Sequence, residues 1–233
     1  MYSFNSRVRY SEVDSDEKIT MQAIIDYFQD CSTFHSEDVN VGVKYLKQHN
    51  VAWVLNSWQI VVSKYPEFGD KIEIGTFPYD FKRFLGYRNF IMKSEDGTKS
   101  VVANSVWTLM NLNQMLPARS AEDMVKGYTI EERLKMEYAP RKIAINEEGK
   151  SEAPIIVKKH HLDTNNHVNN GQYVRMAMDF IPYDFEVSQM RAEYKKSALL
   201  GDIILPKVYK ENDIYTIGLW DETDNLYASV ELK

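Results

Sequence analysis

A carboxylate, several amides and two imidazoles crowd into the stretch His161-Leu162-Asp163-Thr164-Asn165-Asn166-His167-Val168-Asn169-Asn170-Gly171-Gln172-Tyr173. Asp163, Asn165 and His167 occupy alternate positions in it. Apolar residues then recur at helical spacing: Tyr173, Met176, Ala177, Phe180 and Ile181. Polar side chains just ahead of a helix lie where backbone N–H groups lack intrahelical acceptors and the dipole favours negative charge. That placement suits chemistry that develops an oxyanion. The plainer reading is an Asn-rich cap, with Asn169 or Asn170 satisfying free N–H groups and Asp163 turning the chain. Capping alone does not call for an imidazole alternating with an amide and a carboxylate, so the stretch is read as a functional site.

The rest of the chain must position that stretch. It has 233 residues, 44% hydrophobic and 12% aromatic, enough for a sizeable core. Lys plus Arg number 28 against 34 Asp plus Glu, a net charge of −6 without a basic block, which argues against nucleic acid as a partner. Cys31 is the only cysteine, which excludes an internal disulfide and a Cys-rich metal site and fits a reducing compartment. The first residues, Met1-Tyr2-Ser3-Phe4-Asn5-Ser6-Arg7, lack a signal peptide's apolar segment, and no apolar run is long enough to span a bilayer. A cytoplasmic protein is expected.

Along the chain, residues 4–10 alternate as a strand, and a polar loop, Ser11–Lys18, follows. Thr20 is a plausible N-cap for an amphipathic helix built on Met21, Ile24, Ile25, Phe28 and Cys31. From Val51 the period changes to two. Strands are expected over 51–62, 71–77, 85–92 and 101–111, with a turn at Tyr65–Asp70 and a hairpin turn at Glu95–Thr98. Pro117, Ser120, Gly127, Pro140 and Gly149 punctuate residues 112–152, where a charged helical piece is expected near Ile130–Met136.

The first half then recurs. Val13–Ile19 aligns without gaps on Leu162–Val168, the helix from Met21 on the helix from Asn170, and Ile60–Asp70 on Ala192–Asp202. The shared order argues for an internal duplication. A strand, a long helix and an antiparallel meander that wraps it make the hotdog arrangement. The expected architecture is α+β: two tandem hotdog domains, each an antiparallel sheet around a long central helix. The first spans 1–111 with the substrate pocket, a linker spans 112–152, and the second spans 153–233 with the catalytic loop. A fused pair leaves monomer and homodimer both open.

Asp163-Thr164-Asn165-Asn166-His167-Val168-Asn169-Asn170 resembles the active-site motif of the acyl-acyl-carrier-protein thioesterases. Trp53-Val54-Leu55, Tyr65–Ile72 and Glu193-Tyr194-Lys195-Lys196 are also similar to that family, so the resemblance covers nearly the whole chain. Without the long leader of the plastid members, the chain resembles a bacterial member. The resemblance implies hydrolysis of a fatty acyl thioester on the carrier protein's phosphopantetheine arm, with release of free fatty acid for fatty acid biosynthesis. It implies no cofactor, and it carries the catalytic Asp, Asn and His to Asp163, Asn165 and His167. One departure stands out: plant members follow the basic pair with a Glu and a Cys, where this chain has Ser197 and Ala198.

Without the Cys, direct attack by water is the expected route. His167, or Asp163 through a water, would be the general base. Asn165 would hold the water or the carbonyl, and the N–H groups of Val168, Asn169 and Asn170 would form an oxyanion hole. Ser197 is a candidate for positioning water, with an ordinary surface serine as the alternative. Trp53, Trp58 and Tyr87 are candidates to line an acyl pocket, as are Phe81 and Phe84, although strand aromatics are commonly plain core. Lys64, Lys82, Arg83, Lys195 and Lys196 would offer a local basic patch to an acidic carrier. His160 and His161, read as neighbours on a strand, would face opposite ways. No metal site is expected. The alternatives are an acyl-coenzyme A thioesterase and an acyl-binding hotdog protein without catalysis.

Overall fold

The change of period at Val51 marks where helix gives way to sheet. The computed structural model describes residues 1–119, 122–145 and 149–233. Their contacts divide the chain into a first unit, Met1–Asn56 with Ile60–Tyr138, and a second, Ser57–Gln59 with Ala139–Lys233.

In the first unit, β1 (Tyr2–Arg7) leads through the polar loop into α1 (Met21–Asp38) and a short α2 (Val43–Gln48). Then come β2 (Val51–Val62), β3 (Lys71–Lys82), β4 (Leu85–Ser94) and β5 (Lys99–Asn111). The spatial order is β1-β3-β4-β5-β2, with β1–β3, β3–β4 and β4–β5 pairing antiparallel. Helix α1 starts where the sequence places it: the Thr20 hydroxyl accepts the Ala23 N–H at 3.2 Å. It closes beyond Asp38 at Asn40, which takes a left-handed φ of 61°. One face of α1, including Ile24, Ile25, Phe28 and Cys31, is buried, and the helix packs on β3. Each such apolar side chain contributes roughly 1.5–3 kcal/mol of transfer free energy.

One strand runs well beyond its sequence signal. β3 continues past Phe77 to Lys82 although Pro78 removes a backbone donor, because the register shifts between Pro78 and Asp80. A bulge is where a strand tolerates proline. The charged piece at Ile130–Met136 is not a helix. Its backbone donors are claimed from outside: Glu131 N–H donates to the Pro78 carbonyl and Leu134 N–H to Asn89 Oδ1 (both 3.1 Å). Among the described residues of 112–138 the elements are β6 (Leu116–Pro117) and α3 (Glu122–Lys126), and Ser120 lies outside the described residues.

The second unit repeats the plan with shorter parts: β7 (Lys150–Ser151), β8 (Ile155–Ile156), α4 (Asn170–Met178), β9 (Gln189–Tyr194), β10 (Ile203–Glu211), β11 (Ile214–Trp220) and β12 (Leu226–Leu232). Its order is β9-β12-β11-β10-β7, antiparallel throughout, with β8 on β10. α4 packs on β11 and β12 through Tyr173, Val174, Met176 and Ala177. It stops short of the expected Phe180 and Ile181. Their N–H groups donate three residues back, to the Ala177 and Met178 carbonyls, and Pro182 cannot continue a helix.

Candidate active site

Asp163 holds the loop ahead of α4 in shape. Its Oδ1 accepts the N–H of Asn165 at 2.8 Å and of His167 at 3.1 Å. Its own N–H donates to the His167 carbonyl, and its carbonyl accepts from Asn166, which sits at a left-handed φ of 61°. Asparagine is among the residues that tolerate that conformation. No hydrogen bond engages Asp163 Oδ2 among the described residues. Asn165 and His167 are exposed, so the loop presents an amide and an imidazole outward from a carboxylate-locked frame.

Beyond the loop, Asn169 caps α4, its Oδ1 accepting the Gly171 N–H at 2.8 Å. The expected oxyanion donors are largely committed. Val168 N–H donates to the Ala198 carbonyl at 3.0 Å and Asn169 N–H to the His161 carbonyl at 2.9 Å. Of the three, only Asn170 stands in the first turn of the helix, where an N–H has no intrahelical acceptor. The exposed Asn165 side-chain amide is a further donor.

Leu199 bridges His167 and Ala198 lies opposite Val168, so alternation places His167, Ser197 and Leu199 on one exposed face and Val168 and Ala198 on the buried one. Ser197 is diagonal to His167, a separation of roughly 7–8 Å between such positions. A serine does not cross that gap; a glutamate nearly does. Ala198 is 0% exposed, and its N–H donates to the Tyr173 hydroxyl at 2.8 Å. Two tyrosines that the motif alone does not single out therefore brace the site: Tyr173, and Tyr194, whose hydroxyl donates to the Asn170 carbonyl at 3.0 Å. Burial pushes the Tyr173 hydroxyl up to about 12 and raises Tyr194 as well. Both therefore stay protonated hydroxyls near neutral pH. Their signal in the sequence is a hydroxyl on an otherwise apolar face.

His160 and His161 are not on a strand. They lie in a 3-10 turn, Lys159–His161, with rings 4.2 Å apart, and His161 Nδ1 accepts the Lys158 N–H at 3.0 Å. Desolvation, then the charges of His160, Lys158 and Arg175, lower the His161 pKa. Among the described residues no group of three or more His, Cys, Asp or Glu could hold a metal. Nor is any helix among them long and apolar enough to cross a membrane.

The aromatic candidates do not form one wall. Trp53 and Trp58 are five apart on β2 and so point to opposite faces, and Trp58 belongs to the second unit. Trp53 lies against Phe81 (5.9 Å) and over Gly86, where an added Cβ would meet its ring at 3.1 Å. Tyr87, next to Gly86, faces the other way, toward Tyr79 at 5.7 Å. Of the basic candidates, Lys82 pairs with Asp80, Lys195 with the buried Glu193, and Lys196 with Asp221.

The description "Acyl-ACP thioesterase N-terminal domain" matches residues 1–128, and "Acyl-ACP thioesterase C-terminal domain" matches residues 144–228. The chain belongs to the acyl-ACP thioesterase family. It is 25% identical over 218 residues to oleoyl-acyl carrier protein thioesterase 1, chloroplastic, of Arabidopsis thaliana, a match covering 84% of this chain and 60% of that enzyme. The chain thus spans about three fifths of that relative's length. An acyl-ACP thioesterase structure from Bacteroides thetaiotaomicron superposes with a TM-score of 0.91 at 22% identity, over 99% of this chain and 96% of that one. The 12:0-ACP thioesterase of Umbellularia californica gives 0.88 at 16%, over 100% and 97%. These likenesses speak for the fold, two hotdog domains in tandem. Ser197 is exposed and Ala198 is buried at the two positions where the sequence resemblance leads to a Glu and a Cys.

Proposed function

We propose that the chain hydrolyses acyl-acyl-carrier-protein thioesters by direct attack of water, releasing free fatty acid for fatty acid biosynthesis. The observation that carries this reading is the pair Asn165 and His167, held outward by Asp163 in a chain of the thioesterase family. His167 takes a proton from water as the water oxygen attacks the thioester carbonyl. The Asn165 amide donates to the oxyanion that forms, with the Asn170 N–H as the second donor. Collapse expels the pantetheine thiolate, which takes the proton back from His167. Fatty acid and carrier thiol leave. Asp163 fixes the loop and offers Oδ2 to the attacking water. The first domain would supply the acyl pocket and the second the catalytic loop. The lone, buried Cys31 is in keeping with a cytoplasmic setting.

The test is turnover of acyl chains of several lengths on matched carrier-protein and coenzyme A thioesters, by wild type and His167→Ala. Preference for the carrier protein and loss of turnover in the variant are expected. A strong coenzyme A preference would replace the carrier. No turnover on any substrate would favour the non-catalytic acyl binder that the absent Glu and Cys leave open.

A further inference from the structure

Arg88 lies mid-strand in β4, on the face that carries Phe90 against Phe28 of α1 (5.1 Å). It is only 8% exposed. An arginine in such a place ordinarily has a carboxylate beside it. Among the described residues Arg88 has none. Its Nη1 donates to His35 Nδ1 at 3.0 Å and to Thr76 Oγ1 at 3.2 Å, and its guanidinium sits 5.3 Å over the Tyr128 ring. All three partners are neutral. Burial, then the Arg88 charge itself, drives the His35 pKa down to about 4, so the imidazole accepts from the guanidinium.

The rest of the surroundings is equally fixed. Tyr2 stacks on His35 at 5.0 Å, the Tyr128 hydroxyl donates to Ser36 Oγ at 2.7 Å, and Thr76 donates to the Asn89 carbonyl. Among the described residues only Nη1 of the guanidinium has acceptors. The edge formed by Nε and Nη2, which grips a carboxylate with two parallel bonds, has none among the described residues. Leading away from it on the same side of the sheet runs an apolar series: Tyr128 to Phe81 at 5.9 Å, and Phe81 to Trp53 at 5.9 Å.

A buried cation held by neutral groups, with one edge unfilled and aromatic surface beside it, matches the two ends of an alkyl carboxylate. We propose that the first unit contains a carboxylate-binding subsite, in which the Nε–Nη2 edge of Arg88 holds the acid group of a fatty chain lying along Tyr128, Phe81 and Trp53. The inference rests on the acyl-thioester reading for its ligand class. Two sources share the chemistry: the carboxylate of the released product, and a carboxylate at the far end of a dicarboxylic acyl substrate.

Equilibrium binding of dodecanoate and of dodecan-1-ol to the whole chain tests it in wild type, Arg88→Met and Arg88→Lys. Wild type is expected to bind the acid at least ~10-fold tighter than the alcohol. Arg88→Met should lose that preference, and Arg88→Lys should keep part of it. An unpaired buried charge replaced by an apolar side chain is commonly neutral or stabilising, so Arg88→Met should melt no lower than wild type. Should it fail to fold, the wild-type comparison and Arg88→Lys still decide. Equal binding of acid and alcohol by wild type, or an undiminished preference in Arg88→Met, overturns the subsite. Faster turnover of the monothioester of dodecanedioate than of the dodecanoyl thioester, lost in Arg88→Met, assigns the subsite to the substrate's far end. Acid binding without that gain assigns it to the product. Binding needs no turnover, so a chain that hydrolyses nothing leaves the acid preference intact, and a missing preference leaves catalysis untouched.

Discussion

The loops ahead of α1 and α4 share one backbone and differ in what they present. Asp14 Oδ1 accepts from Asp16 and Lys18 at 3.0 and 3.1 Å, as Asp163 Oδ1 does from Asn165 and His167 at 2.8 and 3.1 Å. Glu17 and Asn166 both take φ 61°. Ile19 N–H donates to the Pro66 carbonyl and Thr20 N–H to Glu12, as Val168 donates to Ala198 and Asn169 to His161. Gly69 and Gly201 close the partner turns at φ 85° and 89°. These hydrogen bonds recur at matching positions in both loops, so they are scaffold. What remains different is the outward set: Asp16 and Lys18 in the first loop, Asn165 and His167 in the second. An aspartate that looks catalytic by motif is, in both loops, first a clamp on backbone N–H groups.

The sharpest way to separate the loops is His167→Ala against Lys18→Ala. The first should lower kcat by about 100-fold or more, the worth of a general base, while Lys18→Ala leaves turnover unchanged. The melting temperature of His167→Ala should stay near wild type, since that side chain is exposed, whereas Lys18 is half-buried and its variant serves as the kinetic control. Next comes the clamp. Asp14→Ala and Asp163→Ala each remove an acceptor of two backbone N–H groups and should each cost about 1–2 kcal/mol in denaturant unfolding. Only Asp163→Ala should also depress kcat; equal kinetic damage from Asp14→Ala would break the comparison.

A smaller gain is expected from Ser197→Glu, which returns a carboxylate to the exposed face shared with His167. A rise in kcat/KM of up to about tenfold, with the pH profile shifted, would show that the loop works short of one partner. The aligned residue in the first half, Tyr65, offers the control: Tyr65→Glu should not change kcat/KM. A last effect, on stability and not on turnover, lies in the first unit. His35 has a folded pKa of about 4, below its ordinary value near 6.5. The unfolded chain therefore binds the proton more readily, and stability should fall as pH drops from about 6.5 to 4. His35→Gln should flatten that segment of the melting-temperature curve.

Much of this was legible in the sequence because it depends on local period and on repetition. The alignment of Val13–Ile19 on Leu162–Val168 and of Ile60–Asp70 on Ala192–Asp202 places residues that the structure shows in matching hydrogen bonds. Thr20 and Asn169 cap where expected because capping is decided within a few residues. The failures share a different origin, partners distant in sequence. The Pro78 bulge, the unwound Ile130–Met136 segment and the committed N–H groups of Val168 and Asn169 each depend on a second strand or segment. Arg88 has no local pattern at all, since a basic residue within Tyr87-Arg88-Asn89 reads as an outward one. The opposite facing of Trp53 and Trp58, by contrast, follows from their odd spacing alone.

Ala198 has a use beyond its place in the family comparison. Its side chain is enclosed, while its N–H and carbonyl tie the strand to Tyr173 and Val168. A thiol installed by Ala198→Cys would be hidden from alkylating reagents for as long as those two bonds hold, and Cys31 is equally buried in the other unit. The rate of labelling at position 198 would then report how often the loop ahead of α4 comes away from its strand, a clock for local breathing that needs no substrate.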